Sequence, residues 1–92
     1  MTEVVKAGEN LFLALGFPYH EAEVLQLRSN LMVKLALWIR DSGLTQMEVA
    51  EHLGVTQARV SNLVHGKWKK FSLDMLLTLA AKAGMRIRLE LD

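Results

Sequence analysis

Between Tyr19 and Asp41 the apolar residues fall into two adjoining stripes at helical spacing. Val24, Leu27, Leu31, Leu35 and Trp38 form one, and Leu25, Met32, Ala36 and Ile39 form the other. That period predicts a long helix from Tyr19 or His20 to Asp41, stopped by Ser42-Gly43. The combined face is wider than a single core seam needs, so the helix is expected to touch the core and a second surface as well. The chain's end follows another rule. Met85, Ile87, Leu89 and Leu91 alternate with Arg86, Arg88, Glu90 and Asp92, which predicts a half-buried strand. At the other end, residues 1–8 show no firm periodicity and are expected to fray or await a partner. Asn10 can then cap a short helix over Leu11 to Leu15, ended by Gly16 with Phe17-Pro18 beyond. Leu11, Phe12, Leu15 and Phe17 are too apolar for a free tail. They either pack on the domain or dock a partner, and the residues alone leave both readings open.

Two short amphipathic segments lie between these ends. Thr45 caps the first, and Glu48 three residues later completes a capping box. Val49, Ala50 and Leu53 make its apolar face, with Ala50 small enough for a second helix to cross close by. Gly54 stands at a sharp turn that calls for a positive φ. Thr56 caps the second helix, Gln57 to Val64, in which Val60, Leu63 and Val64 are expected inside. Gln57, Ala58, Ser61 and Asn62 are expected outside. Short amide, hydroxyl and methyl groups on an outer face suit base edges: an amide pairs bidentately with adenine, and a methyl touches thymine. Capped helix, glycine, capped helix is also a common hairpin, so the outer face and its surroundings carry the distinction.

Those surroundings are basic. From His52 through Leu73 there is no acidic residue, while Arg59, Lys67, Lys69 and Lys70 are cationic. The run His65-Gly66-Lys67-Trp68-Lys69-Lys70-Phe71 reads as a basic-aromatic loop. Either it is a solvated loop with Trp68 or Phe71 tucked beneath, or its lysines neutralise phosphates beside a groove. Ser72 then caps a helix from Leu73 to Ala83, with Leu73, Leu76, Leu77, Leu79 and Ala80 apolar and Gly84 as its stop. Without another convincing strand, the C-terminal one leaves backbone groups unpaired. Antiparallel pairing with the same strand of a second molecule, through Met85, Ile87, Leu89 and Leu91, solves this. Arg86 or Arg88 then lies opposite Glu90 or Asp92. Pairing with Glu3 to Lys6 of the same chain is the alternative.

Composition narrows the class. At 92 residues the chain is one domain, and 51% hydrophobic content is rich for that size, leaving apolar surface for a partner. The net charge of +1 is small, but residues 1–41 carry four basic and five acidic groups against seven and five in residues 42–92. The excess thus sits in the half that holds the two short helices. There is no cysteine for a disulfide or thiolate zinc site, and no signal pattern or long apolar run, so a soluble cytoplasmic protein without membrane contact is expected. His20, His52 and His65 lack ligand spacing, no serine has a His-acid pair, and Gly54 and Gly66 are helix punctuation rather than a phosphate cradle. The expectation is no metal, no cofactor and no catalysis.

The Leu-Thr-Gln start, the Ala-x-x-Leu-Gly turn and the Gln-x-x-Val-Ser-x-Leu run resemble the lambda-repressor/Cro (Xre) family of helix-turn-helix regulators. The Asn10–Phe17 segment and the Gly66–Leu76 run are similar to its compact HigA-type antitoxin branch. The resemblance implies an all-α, five-helix lambda-repressor-like domain with a short C-terminal β-strand pairing across a dimer. Its parts would be residues 1–18 with a short helix, residues 19–84 as the DNA-binding domain, and residues 85–92 as the dimerisation strand. It also implies a sequence-specific repressor of a palindromic operator on double-stranded DNA, acting as a homodimer. As an antitoxin it would regulate its own promoter and neutralise a RelE-like toxin. Base contacts would come from Gln57, Ala58, Ser61 and Asn62. Phosphate contacts would come from Gln46, as in the family, and from Thr56, Arg59, Lys67, Lys69 and Lys70; Arg59 has reach for a guanine instead. A repressor without a toxin and a protein-interaction module are the rival functions.

Overall fold

Four helices begin where a short polar side chain takes over a backbone N–H that helix geometry leaves unpaired. The computed structural model describes residues 2–6 and 10–90, with side chains from Asn10 to Leu89. Its elements are β1 (Thr2–Lys6), α1 (Leu11–Ala14), α2 (Tyr19–Ser42), α3 (Gln46–Leu53), α4 (Gln57–Val64), a 3-10 turn (Trp68–Lys70), α5 (Leu73–Lys82) and β2 (Arg86–Glu90). Asn10 accepts from the N–H groups of Phe12 and Leu13, Thr56 from Arg59, and Ser72 from Met75. At α3 the box closes reciprocally: Thr45 Oγ1 accepts from Glu48 N–H, and the Glu48 carboxylate accepts from Thr45 N–H at 3.0 Å. Gly54, at φ 68°, turns the chain between α3 and α4, and Val55 N–H closes onto Ala50 O at 3.0 Å.

The core lies where α2 to α5 converge. Leu31 and Leu35 of α2 meet Val49 and Leu53 of α3, Val60 and Leu63 of α4, and Leu76 and Leu79 of α5, all buried. Phe71, between the 3-10 turn and α5, is the largest fully buried side chain. α2 is longer than the helices that cover it: 24 residues make about 36 Å of helix. Part of its broad apolar face is therefore left outside. Val24, Val33 and Leu37 are exposed, and Trp38 is half-buried against the core. α1 lies along the start of α2, held by Asn10 Nδ2 donating to Ala22 O at 2.9 Å and by Leu11 N–H donating to Gln26 Oε1 at 3.3 Å.

The five helices and the C-terminal strand stand as the patterns predict, but three expectations are corrected. Thr2–Lys6 is a strand, not a fraying tail. β2 runs parallel to it within the same chain, with Glu3 opposite Ile87 and Val5 opposite Leu89, so its pairing need is met on one side without a second molecule. A parallel pair needs a long crossover, and here nearly the whole domain is that crossover. Of the proposed strand residues, Met85 is buried, Ile87 half-buried and Leu89 exposed, while Leu91 lies outside the described residues. Third, Val64 is 41% exposed whereas Val60 and Leu63 are fully buried, because it stands about 100° round the helix from Leu63 and lines an open groove with Val33 and Leu37.

Two substitutions test this local chemistry. A Cβ at Gly54 meets only the mobile Lys82 Nζ at 3.5 Å, so any cost of Gly54→Ala is backbone strain. It should destabilise the domain by about 1–2 kcal/mol in urea unfolding, with Gly54→Asn recovering part of that. The bond from Thr45 N–H, then the Thr45 side chain, holds the Glu48 carboxyl below the usual glutamate range. A lowered folded pKa adds stability above the unfolded value of ~4.3 and loses it as pH falls through the folded pKa. Glu48→Gln should therefore unfold earlier than wild type at pH 7, with the gap closing as acid takes the carboxyl through its lowered folded pKa. A gap unchanged by acid would show that the charge contributes nothing.

Candidate nucleic-acid interface

α4 separates its residues cleanly by side. Val60 and Leu63 anchor it in the core, and Gln57 and Ala58, at its N-terminal end, are exposed beside Thr56. Ser61 and Asn62 are half-buried on the following turn. Ser61 is engaged locally, its Oγ lying 3.3 Å from His65 Nδ1 and its carbonyl 2.8 Å from the same nitrogen. The Asn62 carbonyl accepts from Lys67 N–H at 3.0 Å, which ties the exit of α4 to the basic loop. Thr56 Oγ1 is used in capping. Gln46, the first residue of α3, is half-buried.

The loop after α4 is a built structure. Gly66, at φ 67°, reverses the chain, and the 3-10 turn follows, with Lys70 N–H on Lys67 O and Phe71 N–H on Trp68 O, both at 3.1 Å. Phe71 is tucked into the core and Trp68 is half-buried, while Lys67, Lys69 and Lys70 are exposed. The tucked aromatic and the outward lysines coexist, so the two readings of this loop are not exclusive. Two guanidinium groups reach the turn. Arg59 of α4 donates from Nη1 to Lys70 O at 3.1 Å and lies 5.3 Å from the Phe71 ring centre. One of its five donors is thus committed, leaving others for an anion. Arg28 of α2 donates from Nη2 to Trp68 O at 2.8 Å and to Phe71 O, and sits 5.4 Å from the Trp68 ring centre.

Arg28 is the residue that sequence reasoning missed. It lies 40 residues before its acceptor at Trp68, on a helix read for its apolar stripes, and nothing local marks it. Phe12 of α1, expected to pack or to dock, does so against this turn, with its ring edge-on to Trp68 at 6.1 Å and to Phe17 at 5.9 Å. α1 therefore packs on the domain through Phe12, yet leaves Leu11 and Leu15 each 65% exposed. The packing reading is thus the one that the Phe12 contacts bear out.

The three histidines stand apart from one another. His20 is exposed on α2, His52 lies against Trp38 with ring centres 5.6 Å apart, and His65 is bound to Ser61. Among the described residues no cluster of three His, Cys, Asp or Glu side chains is placed to hold a metal ion. No helix among them is long and apolar enough to cross a membrane. What the site offers is a convex rod with two exposed polar or methyl-bearing positions, flanked by three cations.

Comparison with known families agrees with this geometry. A family model described as a helix-turn-helix domain matches residues 16–92, which takes in α2 to α5 and β2. The chain belongs to that family. No curated protein matches it.

Proposed function

We propose that this helix-turn-helix protein is a sequence-specific DNA-binding transcriptional repressor, and that it serves as the antitoxin of a toxin–antitoxin operon whose promoter it controls. The observation that carries the DNA reading is the split of α4. Gln57 and Ala58 are exposed while Val60 and Leu63 are sealed, and Lys67, Lys69 and Lys70 stand exposed beyond the helix. An α-helix with its side chains is about 10–12 Å across, which a major groove about 12 Å wide admits. Gln57, Ala58, Ser61 and Asn62 face the bases in this reading. Gln46, Thr56, Arg59 and the three lysines contact phosphates and set the register.

One protomer carries one such helix, and a palindrome needs two, about 34 Å apart. The proposed dimer uses the edge of β2 that β1 does not occupy. Antiparallel pairing centred on Leu89 sets Arg88 opposite Glu90 and Arg86 opposite Asp92, so every charged pair is favourable. The antitoxin role is supported by the likeness of Asn10–Phe17 and Gly66–Leu76 to HigA-type proteins, and by the exposed Leu11 and Leu15. Its partner would be a RelE-like toxin. Co-purification with the product of an adjacent gene for a small basic protein distinguishes this from a repressor that has no toxin.

Selection of bound fragments from random DNA is the primary test, and recovery of a palindromic site is the expected result. On that site Gln57→Ala should cost about 1–3 kcal/mol at one base position and leave non-specific affinity intact. A uniform loss on all sequences would make Gln57 a backbone contact. Leu89 is 54% exposed, so Leu89→Lys should leave the fold within about 0.5 kcal/mol of wild type. It should also yield monomers in sedimentation and weaker operator binding. Persistent dimers would place the interface elsewhere.

A further inference from the structure

The Lys67–Lys70 segment puts three exposed cations within four residues, where mutual repulsion favours an open loop over a defined turn. Yet the turn is held from two sides. Arg28 occupies the carbonyls of Trp68 and Phe71, and Arg59 occupies the carbonyl of Lys70. Each guanidinium also lies within cation–π range of an aromatic ring of the same turn, Arg28 at 5.4 Å from the Trp68 centre and Arg59 at 5.3 Å from that of Phe71. Phe12 closes a further side of the Trp68 ring. The arrangement has a cost: Arg28 Nε is buried without a hydrogen-bond partner among the described residues. A side chain placed only to fill space would avoid that penalty. Arginine supplies what a smaller or apolar residue lacks, a rigid planar head whose Nη2 reaches both main-chain oxygens while its central carbon sits 5.4 Å from the indole centre.

We propose that Arg28 is a positioning residue for DNA binding: with Arg59, it clamps the Trp68–Phe71 backbone so that Lys67, Lys69 and Lys70 are presented as one preformed phosphate-binding element. The inference rests on the DNA-binding reading and adds to it a residue that touches no DNA. Its consequence is specific. Loss of the clamp removes phosphate contacts without altering base contacts, so affinity falls evenly on all sequences.

The test measures affinity of the full chain for a random-sequence duplex and for a selected duplex across a series of salt concentrations. Arg28→Lys keeps the charge but replaces the rigid guanidinium with a rotating ammonium on a shorter side chain, so any change reports on position rather than on net charge. It should flatten the slope of log affinity against log salt by about 1 or more, leaving the ratio of the two affinities unchanged. Amide exchange at Lys70 and Phe71 should accelerate while Val60 and Leu63 stay protected. The triple variant Lys67→Ala/Lys69→Ala/Lys70→Ala sets the reference for complete loss. If the triple variant keeps the wild-type slope, the turn binds no phosphate and the inference falls with that part of the reading. If the triple variant flattens and folded Arg28→Lys keeps the wild-type slope, the clamp alone is overturned. Should Arg28→Lys fail to fold, Arg28→Met fills the same space without a cation, and a wild-type slope there overturns the proposal equally.

Discussion

Burial of Phe71 is the contact on which the rest of this surface depends. It joins the core of α2 to α5 to a turn that is otherwise polar and strongly cationic, and it is fully enclosed among the aliphatic side chains. Truncating such a ring typically costs about 3–5 kcal/mol, a large part of the 5–15 kcal/mol available to a domain. With the ring fixed, the carbonyls on either side of it are fixed too, and the two arginines have something rigid to grip. The orientation of α4 and the placement of the lysines therefore share one anchor. A hydrophobic contact sets the geometry of an electrostatic surface.

A second constraint is length. α2 spans most of the 38 Å long axis of the molecule, and the three helices packed on it cannot cover so much apolar surface. The uncovered part includes Val33 and Leu37, which line a shallow groove of about 260 Å³ with Val64 and Trp68. The exposed Leu11 and Leu15 of α1 lie at the other end of α2. The high hydrophobic content of so short a chain is thus divided between a dense core and residues left at the surface. Exposure of Val64 belongs to the same account, since it faces this groove rather than the core.

Local rules were enough for most of the helices. Thr45, Thr56 and Ser72 cap where a short hydroxyl beside an amphipathic run should cap, and Gly54 turns where only a positive φ closes the chain. Each is decided within four residues, the range over which helix hydrogen bonds act. The outer face of α4 was legible for the same reason, because Val60 and Leu63 on one side leave Gln57 and Ala58 on the other. Val64 was misplaced because periodicity gives an angle around a helix but not how wide an arc the neighbouring core covers, and here the arc takes in Val60 and Leu63 and leaves Val64 on a groove.

Interactions between distant segments behaved differently. Thr2–Lys6 has no pattern of its own, and becomes a strand because β2 offers it a ladder more than 80 residues later. The alternation of Met85 to Asp92 announced a strand but left its partner open between a second copy and Glu3 to Lys6 of the same chain. The latter segment is the one it meets, in a parallel direction that the pattern did not give. Arg28 looks like one more polar residue on α2 until the fold carries Trp68 and Phe71 to it. Sequence by itself determined the helices, their caps and the chemistry of the outer face of α4, since those follow from neighbours along the chain. Only the tertiary structure decided which strand meets which, where the core ends and what holds the lysines in place. Those outcomes depend on distances through space, which a one-dimensional pattern does not encode.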